Sequence, residues 1–192
     1  EKLIDEICKI AKDYNGILIS DFAYGVITPN IINTVHRISK ELNIPVFADI
    51  QCSSQYGNVL KFKDFDLLCP NEREARIALG NNDDGIERIA QQILKKTKSK
   101  KLVLKLGSDG FVSYETSSNN FINREHFPAL TVDPVDVTGA GDSLLATFAA
   151  SMTSGVNFIE ASAIATYVAS LSVQTIGNKP INKNKLIEEI LK

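Results

Sequence analysis

The stretch of this 192-residue chain best suited to chemistry is Asp136-Val137-Thr138-Gly139-Ala140-Gly141-Asp142-Ser143, directly ahead of an apolar helical pattern holding Leu144, Leu145 and Phe148. Glycines let a backbone turn tightly and come close to a ligand. The first amides of a helix have no partner inside it and lie at the positive end of its dipole. Gly139, Ala140 and Gly141 at such a start form an anion hole suited to a phosphoryl group. Asp142 adds a carboxylate at the same place, where it repels a phosphate unless it has work to do. Drawing a proton from an attacking hydroxyl is such work. Taken as a bare glycine pattern, the stretch also suits a helix start whose acid merely satisfies the dipole. It is not a Walker A loop, because no Gly-Lys-Ser/Thr follows, and it is not a G-x-G-x-x-G turn.

Such a stretch needs a framework that brings other polar groups to it. A helical pattern covers about residues 2–14, with Leu3, Ile4, Ile7, Ile10 and Ala11 on one face. Ile17-Leu18-Ile19, ending at Ser20-Asp21, reads as a strand buried on both faces. Thr28-Pro29 starts a helix, and Pro45-Val46-Phe47-Ala48-Asp49 is the next strand. Residues 51–64 are irregular, and Asp66-Leu67-Leu68-Cys69 is a third strand closed by Pro70. Asn71 opens a helix that Gly80 ends, and a second helix runs from Ile86 to Lys98. Leu102-Val103-Leu104 is a fourth strand, followed by Gly107-Ser108-Asp109-Gly110. Residues 111–133 read as short antiparallel strands around a polar turn at 117–120, and helices at about 140–153, 157–175 and 182–191 finish the chain.

Strand–helix–strand repetition predicts one α/β domain, a mainly parallel sheet with helices on both faces. Ligands bind such sheets beyond the carboxyl ends of the strands. Asp21, Asp49, Asn71 and Gly107 all follow or end predicted strands and are expected along that edge. Simple capping accounts for Asp21 and Asp49 equally well.

Composition narrows the function classes. Hydrophobic residues make up 44% of the chain and the net charge is −2, which gives no footprint for nucleic acid or an anionic membrane. No apolar run approaches the roughly 18 residues of a membrane helix. Cys8, Cys52 and Cys69 are widely spaced and read as buried thiols of a reducing, cytoplasmic compartment. Cys52-Ser53-Ser54 has no histidine placed to activate it. The basic run at 95–101 reads as the solvated end of a helix.

The motif at Asp136–Asp142 closely resembles the second signature of the PfkB, or ribokinase-like, carbohydrate kinases. Asn71-Glu72-Arg73-Glu74 is similar to that family's N-x-x-E motif, and Lys105-Leu106-Gly107-Ser108-Asp109-Gly110 to its T-L-G-x-x-G segment. Asp21-Phe22-Ala23-Tyr24-Gly25, with Thr28-Pro29 after it, resembles the S-D-Y-x-K-G stretch of the heptose-phosphate kinase group. The resemblance implies a three-layer αβα fold and transfer of the ATP γ-phosphate to a sugar or sugar-phosphate hydroxyl. It implies Asp142 as the base and Gly139, Ala140 and Gly141 as the anion hole. Asn71 and Glu74 would place Mg²⁺ and the ATP phosphates through water, and Gly107 and Gly110 would border the nucleotide. Asp136 and Thr138 lie where some members hold a monovalent cation such as K⁺. Asp21 and Asp49 would line the acceptor side. Family members are longer, so the chain is expected to lack the early strands, the lid and the segment that often makes a homodimer.

Four positions depart from the pattern. Lys105 replaces a Thr and is a candidate phosphate contact. Thr166 stands where relatives carry an Asn near the adenine. Phe22 replaces a Tyr, and Tyr24 replaces the Lys before Gly25, removing a cation suited to an acceptor phosphate. Two other readings remain open at this point: a nucleoside or vitamin-alcohol kinase of the same fold, and a non-catalytic scaffold.

Overall fold

A computed structural model describes residues 1–51, 58–117, 121–131, 133–177 and 179–191. One six-stranded sheet runs in the order β1-β2-β3-β4-β5-β6. β1 (Ile17–Asp21), β2 (Val46–Ile50), β3 (Leu67–Leu68) and β4 (Lys101–Lys105) are parallel. β5 (Phe111–Thr116) and β6 (Ile122–Phe127) continue the sheet as an antiparallel hairpin. The helices are α1 (Lys2–Ile10), α2 (Pro29–Leu42), α3 (Glu72–Leu79), α4 (Ile86–Thr97), α5 (Ala140–Thr153), α6 (Phe158–Ser172) and α7 (Lys183–Ile190).

Alternation along each strand sends side chains into two cores. One face carries Ile19, Ala48, Leu68, Leu102 and Tyr114 against Val35 of α2, Ala75 of α3 and Ile93 of α4. The other carries Phe47, Leu67, Val103 and Phe111 against Leu145 and Phe148 of α5 and Ala161 and Ala165 of α6. The fold is therefore the three-layer αβα sandwich that the resemblance implies.

Local chemistry sets the helix ends. Thr28 Oγ1 accepts from the Ile31 amide at 3.4 Å with Pro29 in the first turn, and Asn43 stops α2 in the left-handed region. Asn71 and Glu74 form a reciprocal capping box at α3.

The structure trims several expected elements. α1 gives way to a 3₁₀ turn at Ala11–Asp13. α6 stops at Ser172 rather than 175, because the carbonyl of Val173 accepts the amides of Val135 and Asp136 at 2.8 and 3.1 Å. β3 keeps only Leu67 and Leu68 of the four-residue strand expected. Cys69 is buried as expected, but Cys8 is exposed, because it lies on the outer side of an amphipathic helix. Cys52 and the Cys52-Ser53-Ser54 segment lie outside the described residues. Among the described residues no helix is long and apolar enough to cross a membrane.

Candidate active site

Gly139 caps α5 with a φ of +79°, a conformation that glycine adopts without strain, and this turn aims the helix start at the sheet. The Ala140 amide donates to the Val137 carbonyl at 3.3 Å, and that of Ser143 donates to the Gly139 carbonyl at 2.9 Å. The amides of Gly141 and Asp142 have no intramolecular acceptor among the described residues. They are free donors in the stretch where an anion hole is expected.

Asp142 is half-buried, and both carboxylate oxygens are held. Ser20 Oγ donates to Oδ1 at 2.8 Å, and Gln51 Nε2 donates to Oδ2 at 3.1 Å. Ser20, one residue before the end of β1, lies on the α5 side of the sheet, opposite Asp49 of β2 in register. Asp49 is fully buried on that same side and ion-paired with Lys105, the last residue of β4. A methyl group at Gly141 would sit 3.1 Å from Lys105 Nζ and 3.5 Å from Asp49 Oδ2. The helix start thus lies directly over the pair. Burial pushes the Asp49 carboxyl up to about 6, against the opposing pull of Lys105. Lys105 keeps its charge: burial acts against it, and Asp49 and Glu74 outweigh that effect and raise it above the ordinary lysine value.

Asn71 comes to this group through backbone. Lys105 N donates to the Pro70 carbonyl at 3.0 Å, and Asn71 and Lys105 form a single parallel bridge. Glu74 is buried and its Oε2 accepts from the Asn71 amide at 2.7 Å. The structure therefore gathers Asp49, Asn71, Glu74, Lys105, Gly141 and Asp142 around one point at the carboxyl ends of the parallel strands.

Two cavities meet at Lys105 and Gly107. One, of about 340 Å³, has apolar walls from Phe111, Leu130, Val137, Leu144, Ala169 and Val173, and also includes Gly110, Ala140, Gly141 and Thr166. The Thr166 hydroxyl donates to the Ser162 carbonyl at 2.9 Å, which leaves its oxygen as the polar group offered there. The other, of about 670 Å³, is open and lined by Asn71, Arg73, Arg76 and Lys105. Gly107 has a φ of +64° with open space beside it. Gly110 is the tighter position: its φ is +84°, and its α-carbon packs on the backbone of residues 127–129.

Other expected residues lie elsewhere. Asp21 points to the opposite sheet face, where it pairs with Lys61 and accepts from the Ala23 amide at 2.9 Å. Tyr24 is exposed and stacks on Phe22. Asp136 accepts from the Thr138 amide at 2.9 Å and the Gly177 amide at 2.9 Å, and those donors, Gly177 first, hold its carboxyl below the usual range. Thr138 is exposed beside it. Ser20, Gln51 and Lys61 went unsingled in the sequence. Only Ser20 carried a signal, as the neighbour of Asp21 with the opposite strand parity.

A family model described as pfkB family carbohydrate kinase matches residues 5–184. This chain belongs to that family. Among its relatives, the bifunctional protein HldE of Geotalea uraniireducens (strain Rf4) is 30% identical over 193 residues, which is 99% of this chain and 38% of the relative. HldE of Campylobacter jejuni (subsp. jejuni serotype O:6) is 29% identical over 182 residues, 91% of this chain and 36% of the relative. The chain thus spans well under half of the curated relatives it matches. The structure of Arabidopsis thaliana ribokinase complexed with ribose and ATP aligns with a TM-score of 0.77 at 29% identity, covering 98% of this chain and 59% of that one. Phosphofructokinase-2 from Escherichia coli in complex with potassium shares the fold, with a TM-score of 0.78 at 16% identity over 97% of this chain and 59% of that one.

Proposed function

We propose that this chain carries the nucleotide-binding and catalytic part of an ATP-dependent sugar kinase, with Asp142 as the base. The observation that carries this reading is the Asp142 carboxylate, fixed by Ser20 and Gln51 next to two unpaired helix-start amides at the mouth of an apolar cavity. The cavity suits a flat base, and the ribokinase relative was solved with ATP and ribose. ATP with Mg²⁺ supplies the phosphoryl group and neutralises part of its charge.

The chain's own residues do the rest. The Gly141 and Asp142 amides receive phosphoryl oxygens, in a site where preorganised donors act on developing charge. Asp142 accepts the acceptor's proton at a carboxylate oxygen whose direction Ser20 and Gln51 fix. Glu74 and Asn71 are the residues that would stand beside an Mg²⁺ carried by the phosphates and water. Asp136 and Thr138 are the residues we assign to a monovalent cation, on the low proton affinity of Asp136 and the potassium complex of the Escherichia coli relative.

For the acceptor we propose a sugar or sugar phosphate of the heptose-phosphate kind, on the Asp21–Gly25 resemblance and the HldE relatives. Tyr24 removes one cation from that stretch, and Lys61, held on Asp21, lies on the sheet face away from Asp142 and does not replace it. Asp49 is assigned to the phosphoryl rather than the acceptor side, because it faces Gly141. We place the enzyme in the cytoplasm, as a homodimer. Asp142→Asn in the full-length protein tests the base: we expect turnover with ATP and a panel of sugar phosphates to fall at least about 100-fold with nucleotide binding retained. Near wild-type turnover would reject the assignment.

A further inference from the structure

We propose that Lys105 is a catalytic residue, whose ammonium exchanges its Asp49 carboxylate for the phosphoryl group under transfer. The inference rests on the phosphotransfer reading and adds to it the cation that meets the migrating charge.

The case begins with position. Lys105 Nζ is the nearest atom to the vacant Cβ site of Gly141, at 3.1 Å, so the ammonium lies directly beneath the free amides. Lys105 also lines both cavities, the apolar one beside Ala140 and Gly141 and the open one beside Asn71. An anion entering between the two would meet that ammonium together with the Gly141 amide.

The second argument concerns charge. Lys105 is largely buried, yet two buried carboxylates, Asp49 and Glu74, keep it protonated. A cation is therefore present before any nucleotide binds. As a stabilising device the pair is a poor choice, because buried ion pairs are often replaced by apolar side chains without loss. A phosphoryl group carrying more than one negative charge competes well for the ammonium, and charge-assisted hydrogen bonds to phosphate are among the strong ones. Lysine acts there as a point charge on a flexible stem, able to follow the group as it moves.

The third argument concerns reach. Asp49 lies one residue before the end of β2 and Lys105 ends β4, so the pair reaches across the intervening chain on the α5 face of the sheet. A short turn of the ammonium away from Asp49 brings it to the start of α5, where the Gly141 Cβ site is 3.1 Å away.

The test uses the full-length protein with Mg²⁺ and titrates ADP and the non-hydrolysable ATP analogue AMP-PNP by calorimetry, alongside steady-state turnover. Lys105→Met should weaken AMP-PNP at least about tenfold and leave ADP within about threefold, because only the terminal phosphate meets the ammonium. Turnover should fall about 100-fold or more. Lys105→Met leaves Asp49 without its cation, so the double variant Asp49→Asn/Lys105→Met keeps the volume without a lone buried charge and should show the same AMP-PNP deficit. Lys105→Arg should recover part of the AMP-PNP affinity. Equal weakening of ADP and AMP-PNP, or a double variant with turnover within about threefold of wild type, would overturn the proposal. Asp142→Asn serves as the separating control: it should lose turnover with both affinities intact. If the wild-type protein binds neither nucleotide, the phosphotransfer reading itself fails and this proposal with it.

Discussion

Gly110 offers the sharpest check on how the hairpin shapes the apolar cavity. Its φ of +84° and ψ of −126° fall in a region that only glycine occupies comfortably. Holding another residue there costs about 1–3 kcal/mol. Space adds to that cost, because a Cβ would fall on the Phe127 carbonyl oxygen and lie 2.7 Å from Ala129 N and 2.8 Å from the Pro128 carbonyl carbon. All three neighbours are backbone, so β6 itself must move. Gly110→Ala should therefore lose at least about 3 kcal/mol, or about 6–12 °C in Tm for a chain of this size. Gly107→Ala is the internal control. Its φ of +64° is also positive, but nothing lies within 4 Å of the added methyl. It should cost about 1 kcal/mol and 2–4 °C. Thermal unfolding of both variants in the full-length protein, followed by circular dichroism with and without Mg·ATP, reads the difference. Pro128 and Ala129 also wall the cavity, so the ATP-induced rise in Tm should shrink in Gly110→Ala and persist in Gly107→Ala. Equal Tm losses, or a Gly110→Ala loss below about 2 °C, would refute the close-approach argument.

Two further predictions address the site. Ser20→Ala removes the donor to Asp142 Oδ1 and should lower kcat about tenfold with little change in KM or Tm, measured in a coupled turnover assay. An unchanged kcat would mean that Ser20 does not orient the base. The Asp49 carboxyl, raised to about 6 in the folded protein from 3.8, binds its proton more tightly folded than unfolded. Its contribution to stability is therefore fully present below about pH 4 and is lost as pH rises to about 6, by about 3 kcal/mol at most. Tm profiles of wild type and Asp49→Asn should diverge in that window, with the wild type showing the extra decline. Parallel profiles would remove Asp49 from the account.

Much of the fold was legible because each element carries its own signals. α2 could be placed from Thr28-Pro29 and the Ile31, Ile32, Val35, Ile38 spacing, and the structure buries those four residues. The β5–β6 hairpin followed from apolar residues on either side of a polar turn. Whether Ser20 or Asp21 would face α5 was not legible. The two differ by one residue of strand parity, and that is decided by which sheet face α5 covers, a long-range matter. Gln51 and Lys61 lie in or beside an irregular segment with no period to read, and reach Asp142 and Asp21 only through tertiary packing. The early end of α6 was equally hidden, since the groups that capture Val173 lie 37 and 38 residues earlier in the chain.

The middle strand carries its pairing beyond Leu68, and this has a consequence beyond topology. Cys69 N donates to the Ala48 carbonyl at 3.0 Å and Lys105 N to that of Pro70 at 3.0 Å, so backbone ties Asn71 to its neighbours before α3 begins. Side chains along that segment can therefore be exchanged without shifting the groups that handle charge on the flanking strands.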